Sequence, residues 1–377
     1  MEYQLYATCP DEFTDLLAKE IASIGGTGIQ IAYRVVYFCA SKEVAYKVHL
    51  HSRLASRICR VLKEVPAQSP TIIFDKAKRI RFHELFSHKQ AISINVFSSN
   101  NESKIPNHLI GSKLREAIND CFQHYLKITP NQSSRDATIG ITGYLRNKRL
   151  MVSVDTSLES LHKRGFRVEG HPAPLKETLA AALLAACEYD GTTNFFDPMC
   201  GSGTIVIEAA QIAINRAPLI YRGKGGFGFE YLLDFDSGVW RTIQDRARAA
   251  ERPAKAGIFA SDIDPQFVDI TRRTVANAHL EKIVKLEAKD FFNTEKPAEH
   301  GLMIANIPYG VRMTEKDVSA DFLRAIGDHL KNHFKGWRCG ILAPASSPLN
   351  EIGLKPHRKV SFLNGAVPVK LIVFDMY

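Results

Sequence analysis

Four short strings, each closing an apolar run, hold the residues whose types and spacing could do chemistry. They are Asp197-Pro198-Met199-Cys200-Gly201-Ser202-Gly203-Thr204, then Asp262-Ile263-Asp264-Pro265, then Asp290, then Asn306-Ile307-Pro308-Tyr309. In the first string a Gly-Ser-Gly turn leads from a strand into a helix that starts near Thr204. Two glycines let the backbone approach a ligand closely, and the helix start offers its N–H groups to an anionic part of it. A nucleotide-like cofactor fits such a turn. It is not a Walker loop, because no Gly-Lys-Ser/Thr follows, and the third glycine of the dinucleotide fingerprint is missing. Asp262, at the expected end of the next strand, can accept hydrogen bonds from both hydroxyls of a ribose. Asp290 and Asn306 close the third and fourth strands. Each string alone reads equally as a strand-ending turn; four in register read as one ligand-binding edge.

The elements that must position these residues alternate from about residue 165 onward. The strand candidates "TNFFDPM", "GIFASDI", "VKLEAKD", "LMIANI" and "RCGILAP" are separated in several places by helical segments. The pattern predicts an α/β, Rossmann-like, mostly parallel sheet with ligands at the carboxyl ends of its strands. The finish "KVSFLNGAVPVKLIVFDMY" leaves no room for a crossover helix, so one strand at the end of the sheet is expected to run antiparallel. Ahead of residue 165 the pattern is α+β. Strands "YQLYATC" and "RVVYFCA" alternate with helices "DEFTDLLAKEIASIG" and "SKEVAYKVHLHSRLASRICRVL", and residues 66–70 read as a linker. A second unit follows, with "ISINVFSS", the helix "IGSKLREAINDCFQHYL", and two strands joined by the turn "RNK".

Charge divides the chain in the same place. Residues 1–164 hold 23 Lys+Arg and 15 Asp+Glu, a net of +8 of the chain's +9, whereas the remaining 26 and 25 nearly cancel. A basic half joined to a neutral one suits a polyanionic partner, nucleic acid first. No apolar run reaches the roughly 18 residues that span a bilayer, and the first residues lack the features of a signal peptide, so a cytoplasmic setting is expected. The seven cysteines are scattered and show no Cys-x-x-Cys spacing, and the histidines show no His-Glu-x-x-His pair, so neither disulfides nor a metal are expected. Cys200 could invite a covalent reading but falls inside the glycine turn, where a packing role suits it better.

Taken together, the ordered strand ends resemble those of class I S-adenosylmethionine-dependent methyltransferases. Asn306-Ile307-Pro308-Tyr309 is similar to the Asn/Asp-Pro-Pro-Tyr/Phe element of enzymes that methylate the amine nitrogens of bases. With "LHKRGFR" (161–167), "APLKETLAAALL" (173–184) and "FLNGAVPVKLIVF", the chain resembles bacterial ribosomal RNA guanine-N2 methyltransferases of the RlmL/YpsC type. That resemblance implies a ferredoxin-like region over 1–65, a THUMP RNA-binding domain over 66–160 and a methyltransferase domain over 161–377. It also implies S-adenosylmethionine as cofactor, RNA as partner, and 23S ribosomal RNA as the source of the guanine. Cofactor contacts are implied for Thr178, Asp197, Pro198, Gly201, Gly203, Thr204, Asp262, Ile263, Asp290 and Asn306. Two departures stand out: Ile307 replaces the family's first proline, and Thr129-Pro130 stands where relatives carry Arg-Pro. A transfer RNA guanine-N2 enzyme, an adenine-N6 DNA methyltransferase and a non-catalytic RNA-binding protein are the competing readings.

The implied chemistry explains the last string. An exocyclic amine is a poor nucleophile because its lone pair is delocalised into the ring, and it must pyramidalise to attack a methyl group. Two acceptors that draw its hydrogens out of the base plane favour that geometry, and Asn306 Oδ1 with the Ile307 carbonyl can supply them. Tyr309 would stack on the extruded base, and Pro308 would hold Ile307 extended. Since the required group at 307 is a backbone carbonyl, isoleucine should serve as well as proline.

Overall fold

The computed structural model describes every residue except 1, 100–104, 132, 134, 169–174 and 309–317. Its strands form two seven-stranded sheets. The first is built from β1 (Glu2–Thr8), α1 (Thr14–Ile24), β2 (Thr27–Ala32), β3 (Val35–Ser41), α2 (Lys42–His51) and β4 (Arg57–Pro66), followed by α3 (Pro70–Ala77), β5 (Ile92–Ser98), α4 (Asn107–Leu126), β6 (Ile139–Arg146) and β7 (Arg149–Asp155). The strand order β2-β3-β1-β4-β7-β6-β5 runs through both expected N-terminal units without a break. Antiparallel pairing of β4 with β7 makes the join, so the boundary expected at 65/66 falls at the end of a shared strand. Residues 66–70 are a tight strand-to-helix connection, in which the Ala67 amide bonds the Lys148 carbonyl and Ser69 caps α3 with Pro70 at its first position. The β6–β7 hairpin turns on Asn147 and Lys148 alone, both at positive φ (49° and 56°), as a turn matched to strand twist requires.

One expected helix is divided. The string "SKEVAYKVHLHSRLASRICRVL" is helical only to His51, then turns and continues as β4. The Glu20 carboxylate takes the Ser52 hydroxyl (2.9 Å) and the Arg53 amide (2.6 Å), which stops the helix where the apolar spacing alone would carry it on. From Arg57 the backbone is claimed by β1 and β7, and tertiary pairing overrides local propensity.

The second sheet comprises α5 (Glu177–Ala186), β8 (Asn194–Asp197), α6 (Thr204–Ala213), α7 (Ser237–Ala249), β9 (Ile258–Asp262), α8 (Pro265–Asn277), β10 (Val284–Ala288), β11 (Gly301–Asn306), α9 (Ala320–His333), β12 (Trp337–Pro344), β13 (Arg358–Asn364) and β14 (Val367–Asp375). Strand order is β10-β9-β8-β11-β12-β14-β13, parallel from β10 to β12. The five strands expected from sequence are all present. The antiparallel strand is β14, which lies inside the sheet between β12 and β13 and not at its edge. A two-residue turn at Gly365-Ala366, with Gly365 at φ 64°, folds β14 back between them.

The halves are fastened through buried charge. Arg164 is 1% exposed and donates to Glu208 Oε1 of α6 (3.1 Å), the Leu161 carbonyl (2.9 Å) and the Arg53 carbonyl (2.8 Å). Arg53 in turn reaches Glu208 Oε2 (3.3 Å) and the Arg216 carbonyl (2.6 Å). Further along, Tyr3 and Arg60 of the first sheet both donate to Asp234, and Phe86 bridges Leu232. No described helix is long and apolar enough to cross a membrane.

Candidate active site

Strand order sets the site. From β8 the chain moves outward to β9 and β10, then returns to β11 on the other side of β8, so the topological switch point lies between β8 and β11. In open α/β sheets ligands bind outside the carboxyl ends of the strands at that point. The residues found there are Asp197 from β8, with the turn that follows it, and Asn306 from β11, flanked by Asp262, the last residue of β9, and Asp290, just past β10.

The turn after β8 is held from several sides. Gly201 and Gly203 adopt positive φ (55° and 77°), and Gly203 sits at the start of α6. A Cβ on Gly203 would lie 2.7 Å from Thr271 Cγ2, so a side chain is excluded by contact as well as by conformation. Thr271, from α8, donates its hydroxyl to the Gly201 carbonyl at 2.7 Å. Asp262 accepts from the Gly201 amide (2.8 Å) through Oδ2 and from the Asp264 amide (3.0 Å) through Oδ1. The residue expected to meet a ribose therefore also clamps the glycine turn. Asp264 caps α8 through the Gln266 amide, ahead of Pro265 at the first helical position, which accounts for the second acid of the string.

Asp197 is 1% exposed; its two oxygens face the Met199 and Val206 amides without closing a full hydrogen bond. Burial, with the Asp262 charge second, pushes its carboxyl well above the usual carboxylate range. Burial likewise raises the Cys200 thiol, which agrees with a packing residue and not a nucleophile. Ser261 donates to the Pro198 carbonyl at 3.4 Å. Ile263 stands 67% exposed at the rim, an apolar side chain with little protein to cover it.

On the other flank Asn306 Oδ1 is buried and has no partner among the described residues. Ile307 is fully buried and its amide donates to the Leu342 carbonyl of β12 at 3.1 Å, extending the β11–β12 ladder by one bond. Pro308 is half-buried, and Tyr309 lies outside the described residues. Asp290 caps a short turn through the Phe292 amide (3.1 Å). Thr178 sits apart from the strand ends, in the first turn of α5 and 4% exposed. Its neighbourhood is joined to the site through Arg167, which bonds Glu177 (2.9 Å) and the Thr204 hydroxyl (3.4 Å). Thr271, Arg167 and Glu177 were not legible as site residues. A threonine one helix away and a contact spanning 37 positions leave no trace in local spacing. Among the described residues no group of three or more His, Cys, Asp or Glu side chains is placed to hold a metal.

A parallel sheet of this order, with a glycine turn at its switch point, an inserted antiparallel strand and an Asn-x-Pro string on the adjoining strand, defines the class I methyltransferase architecture. Residues 164–371 match the RMKL-like methyltransferase domain, and the chain belongs to that family. Residues 4–59 match the RlmL ferredoxin-like domain. The chain is 33% identical over 378 residues to the ribosomal RNA large subunit methyltransferase K/L of Shewanella sediminis, covering 99% of this chain and 52% of that one. Against the protein of the same name from Cellvibrio japonicus it is 29% identical over 390 residues, covering 100% and 51%. The chain thus spans about half the length of the curated relatives it matches. Among solved structures it is similar to SMU.472, assigned as a methyltransferase and crystallised with SAH. The TM-score is 0.90 and the identity 26%, over 100% of this chain and 98% of that one.

Proposed function

We propose that this chain binds S-adenosylmethionine and transfers its methyl group to the exocyclic N2 of a guanine in large-subunit ribosomal RNA. The observation that carries the reading is Asn306 Oδ1, a buried acceptor without a partner among the described residues, at the switch point of a methyltransferase sheet. A buried polar atom left unsatisfied costs about 1–3 kcal/mol, so its retention calls for a ligand that completes it. The amine of a base does so.

The other residues fit the cofactor. Gly201 and Gly203 leave room for close approach, Asp262 stands where ribose hydroxyls would meet a carboxylate, Ile263 offers an apolar rim, and Asp197 places a buried carboxyl whose ionised form a cationic ligand would stabilise. S-adenosylmethionine supplies an activated methyl group on a sulfonium, with a neutral thioether as leaving group. The chain then has to orient the amine and keep the site dry. Asn306 Oδ1 and the Ile307 carbonyl draw the two N2 hydrogens out of plane, one of which is released as the N–C bond forms. Residues 66–160, in a half that carries a net charge of +8, serve on this reading as the THUMP-type RNA-binding unit, and Tyr309 stacks on the base. The relatives' printed name, ribosomal RNA large subunit methyltransferase, supports this substrate class.

Mass spectrometry of nucleosides from separated ribosomal and transfer RNA, compared between parent and deletion strains, tests it. Loss of N2-methylguanosine from large-subunit RNA is the expected result. Loss from transfer RNA would reassign the substrate, and an unchanged N2-methylguanosine content in every pool would overturn the reading.

A further inference from the structure

Arg164 and Arg167 stand three residues apart and do different work. Arg164 is sealed in the join between the halves, whereas the Arg167 side chain is 28% exposed and reaches the start of α6. Gly165 separates their directions: it has φ 101°, and a Cβ there would lie 3.1 Å from the Tyr221 carbonyl. Phe166 is buried, and its carbonyl accepts from Asn277 Nδ2 at 3.3 Å, which fixes the backbone just ahead of Arg167. From that anchor the guanidinium donates through Nε to Glu177 Oε1 (2.9 Å), and through Nη2 to the Leu175 carbonyl (2.7 Å) and Thr204 Oγ1 (3.4 Å).

Two further features mark this as more than a tie between helices. Glu177 is 2% exposed and its Oε2 is buried without a partner among the described residues. Thr204, which Arg167 touches, is the first residue of the helix that follows the glycine turn, and Asp197, 1% exposed with both oxygens unsatisfied, faces the Val206 amide of that same helix. Beside a cofactor turn there is thus a partly exposed cation, held in plane by a buried carboxylate with one unsatisfied oxygen and set at the N-terminus of the helix that Asp197 also faces. A zwitterion is what such a surface complements.

We infer that Arg167 is the receptor for the carboxylate at the amino-acid end of the cofactor, and that Glu177 is the residue that positions it. The inference rests on the reading that this site holds S-adenosylmethionine, and adds which residue holds one end of it. A guanidinium presents its donors as a rigid planar fork that matches a carboxylate. Pairing of Nε and Nη2 with Glu177 occupies that edge and sets the guanidinium plane, which leaves Nη1, to which no described residue is shown bonded, to donate to the cofactor carboxylate with little side-chain entropy left to lose.

Calorimetry on the full chain tests this with two ligands that differ only in the group concerned, S-adenosylmethionine and its decarboxylated analogue. The parent is expected to prefer the carboxylated ligand, and Arg167→Gln to weaken that ligand about 10- to 100-fold while leaving the analogue nearly unchanged. The ratio is internal to each protein, so it is insensitive to the fraction folded. A purely structural tie would instead lower both affinities together or neither, and that result overturns the inference. So does a parent that binds the two ligands equally, although the cofactor reading would then survive. A parent that binds neither ligand removes the cofactor reading and this inference with it. Should Arg167→Gln not fold, Arg167→Lys keeps the charge without the fork; a narrowed ratio supports the inference and an unchanged one sinks it.

Discussion

The Ile307 amide donates to the Leu342 carbonyl at 3.1 Å, one residue beyond an asparagine whose Oδ1 has no partner among the described residues. Satisfied backbone thus abuts an unsatisfied side chain, and the two substitutions there should behave in opposite ways. From sequence, Ile307→Pro is expected to retain activity, since proline keeps the carbonyl, unless the packing has adapted to isoleucine or uses its N–H. In the structure proline also removes the amide, orphans Leu342 O and underfills a fully buried site, at a cost of about 1–3 kcal/mol. Asn306→Ala should leave stability unchanged or raise it, because an uncompensated polar atom is lost, while single-turnover methyl transfer falls on the order of 10²–10³. Urea midpoints and single-turnover rates, measured side by side, decide. A parent-like rate for Asn306→Ala would leave Asn-Ile-Pro-Tyr as a turn without catalytic meaning.

Asp262 joins two functions that sequence assigned to one. Its carboxylate holds the Gly201 and Asp264 amides, so Asp262→Ala should both weaken cofactor binding and loosen the glycine turn before any ligand arrives. The expected signs are a lower cofactor affinity and faster amide exchange at Gly201 and Asp264 in the ligand-free protein. Asp262→Asn keeps one acceptor oxygen and should fall between the two. If exchange at those amides is unaltered in Asp262→Ala, the clamp is dispensable and only a ribose contact remains for the residue.

Much of this architecture was legible because each parallel strand is a short, nearly continuous apolar run that ends on a polar residue, and that pattern survives without tertiary knowledge. β8, β9, β10, β11 and β12 all fall where the runs predicted, and Asp197, Gly201, Asp262 and Asn306 come to neighbouring strand ends as a result. What stayed hidden depends on partners distant in sequence. The break between His51 and Arg57 is imposed by Glu20, the single sheet across residues 65/66 by β7, and the interior place of β14 by pairing on both its edges. Arg164 and Arg167 look alike as letters, and only burial separates the lock from the candidate receptor.

The lock itself can be tested. Glu208 has no exposed side-chain surface and faces two arginines, Arg53 and Arg164, the latter equally sealed. Removing the carboxylate leaves both cations buried without their common counter-charge, and breaking a buried pair in this way costs about 3–5 kcal/mol. Glu208→Ala should therefore lower the urea midpoint more than any surface substitution does. Because the triad joins residues 52–53 of the first half to α6 of the second, the loss should also appear as earlier proteolysis between the halves. A midpoint within error of the parent would show that the two halves are held by their other contacts.

Asp197 offers a dependence on pH whose sign follows from its burial. Its folded-state carboxyl is held well above the ordinary value of 3.8, so the folded chain binds a proton that the unfolded chain releases. Between 3.8 and that raised value the unfolded state carries fewer protons, and stability must fall as pH rises through the window. Asp197→Asn removes the titration and keeps the shape. The variant should match the parent in acid and become progressively more stable than the parent toward neutral pH, read as a widening difference in Tm. Cofactor affinity should move the other way, since the negative charge that the folded state finds costly is the one a cationic ligand compensates. Thermal unfolding from pH 5 to 8, with and without S-adenosylmethionine, measures both arms. A constant Tm difference across that range would mean that Asp197 is ionised in the folded as in the unfolded chain throughout, and that its burial is not what tunes the site.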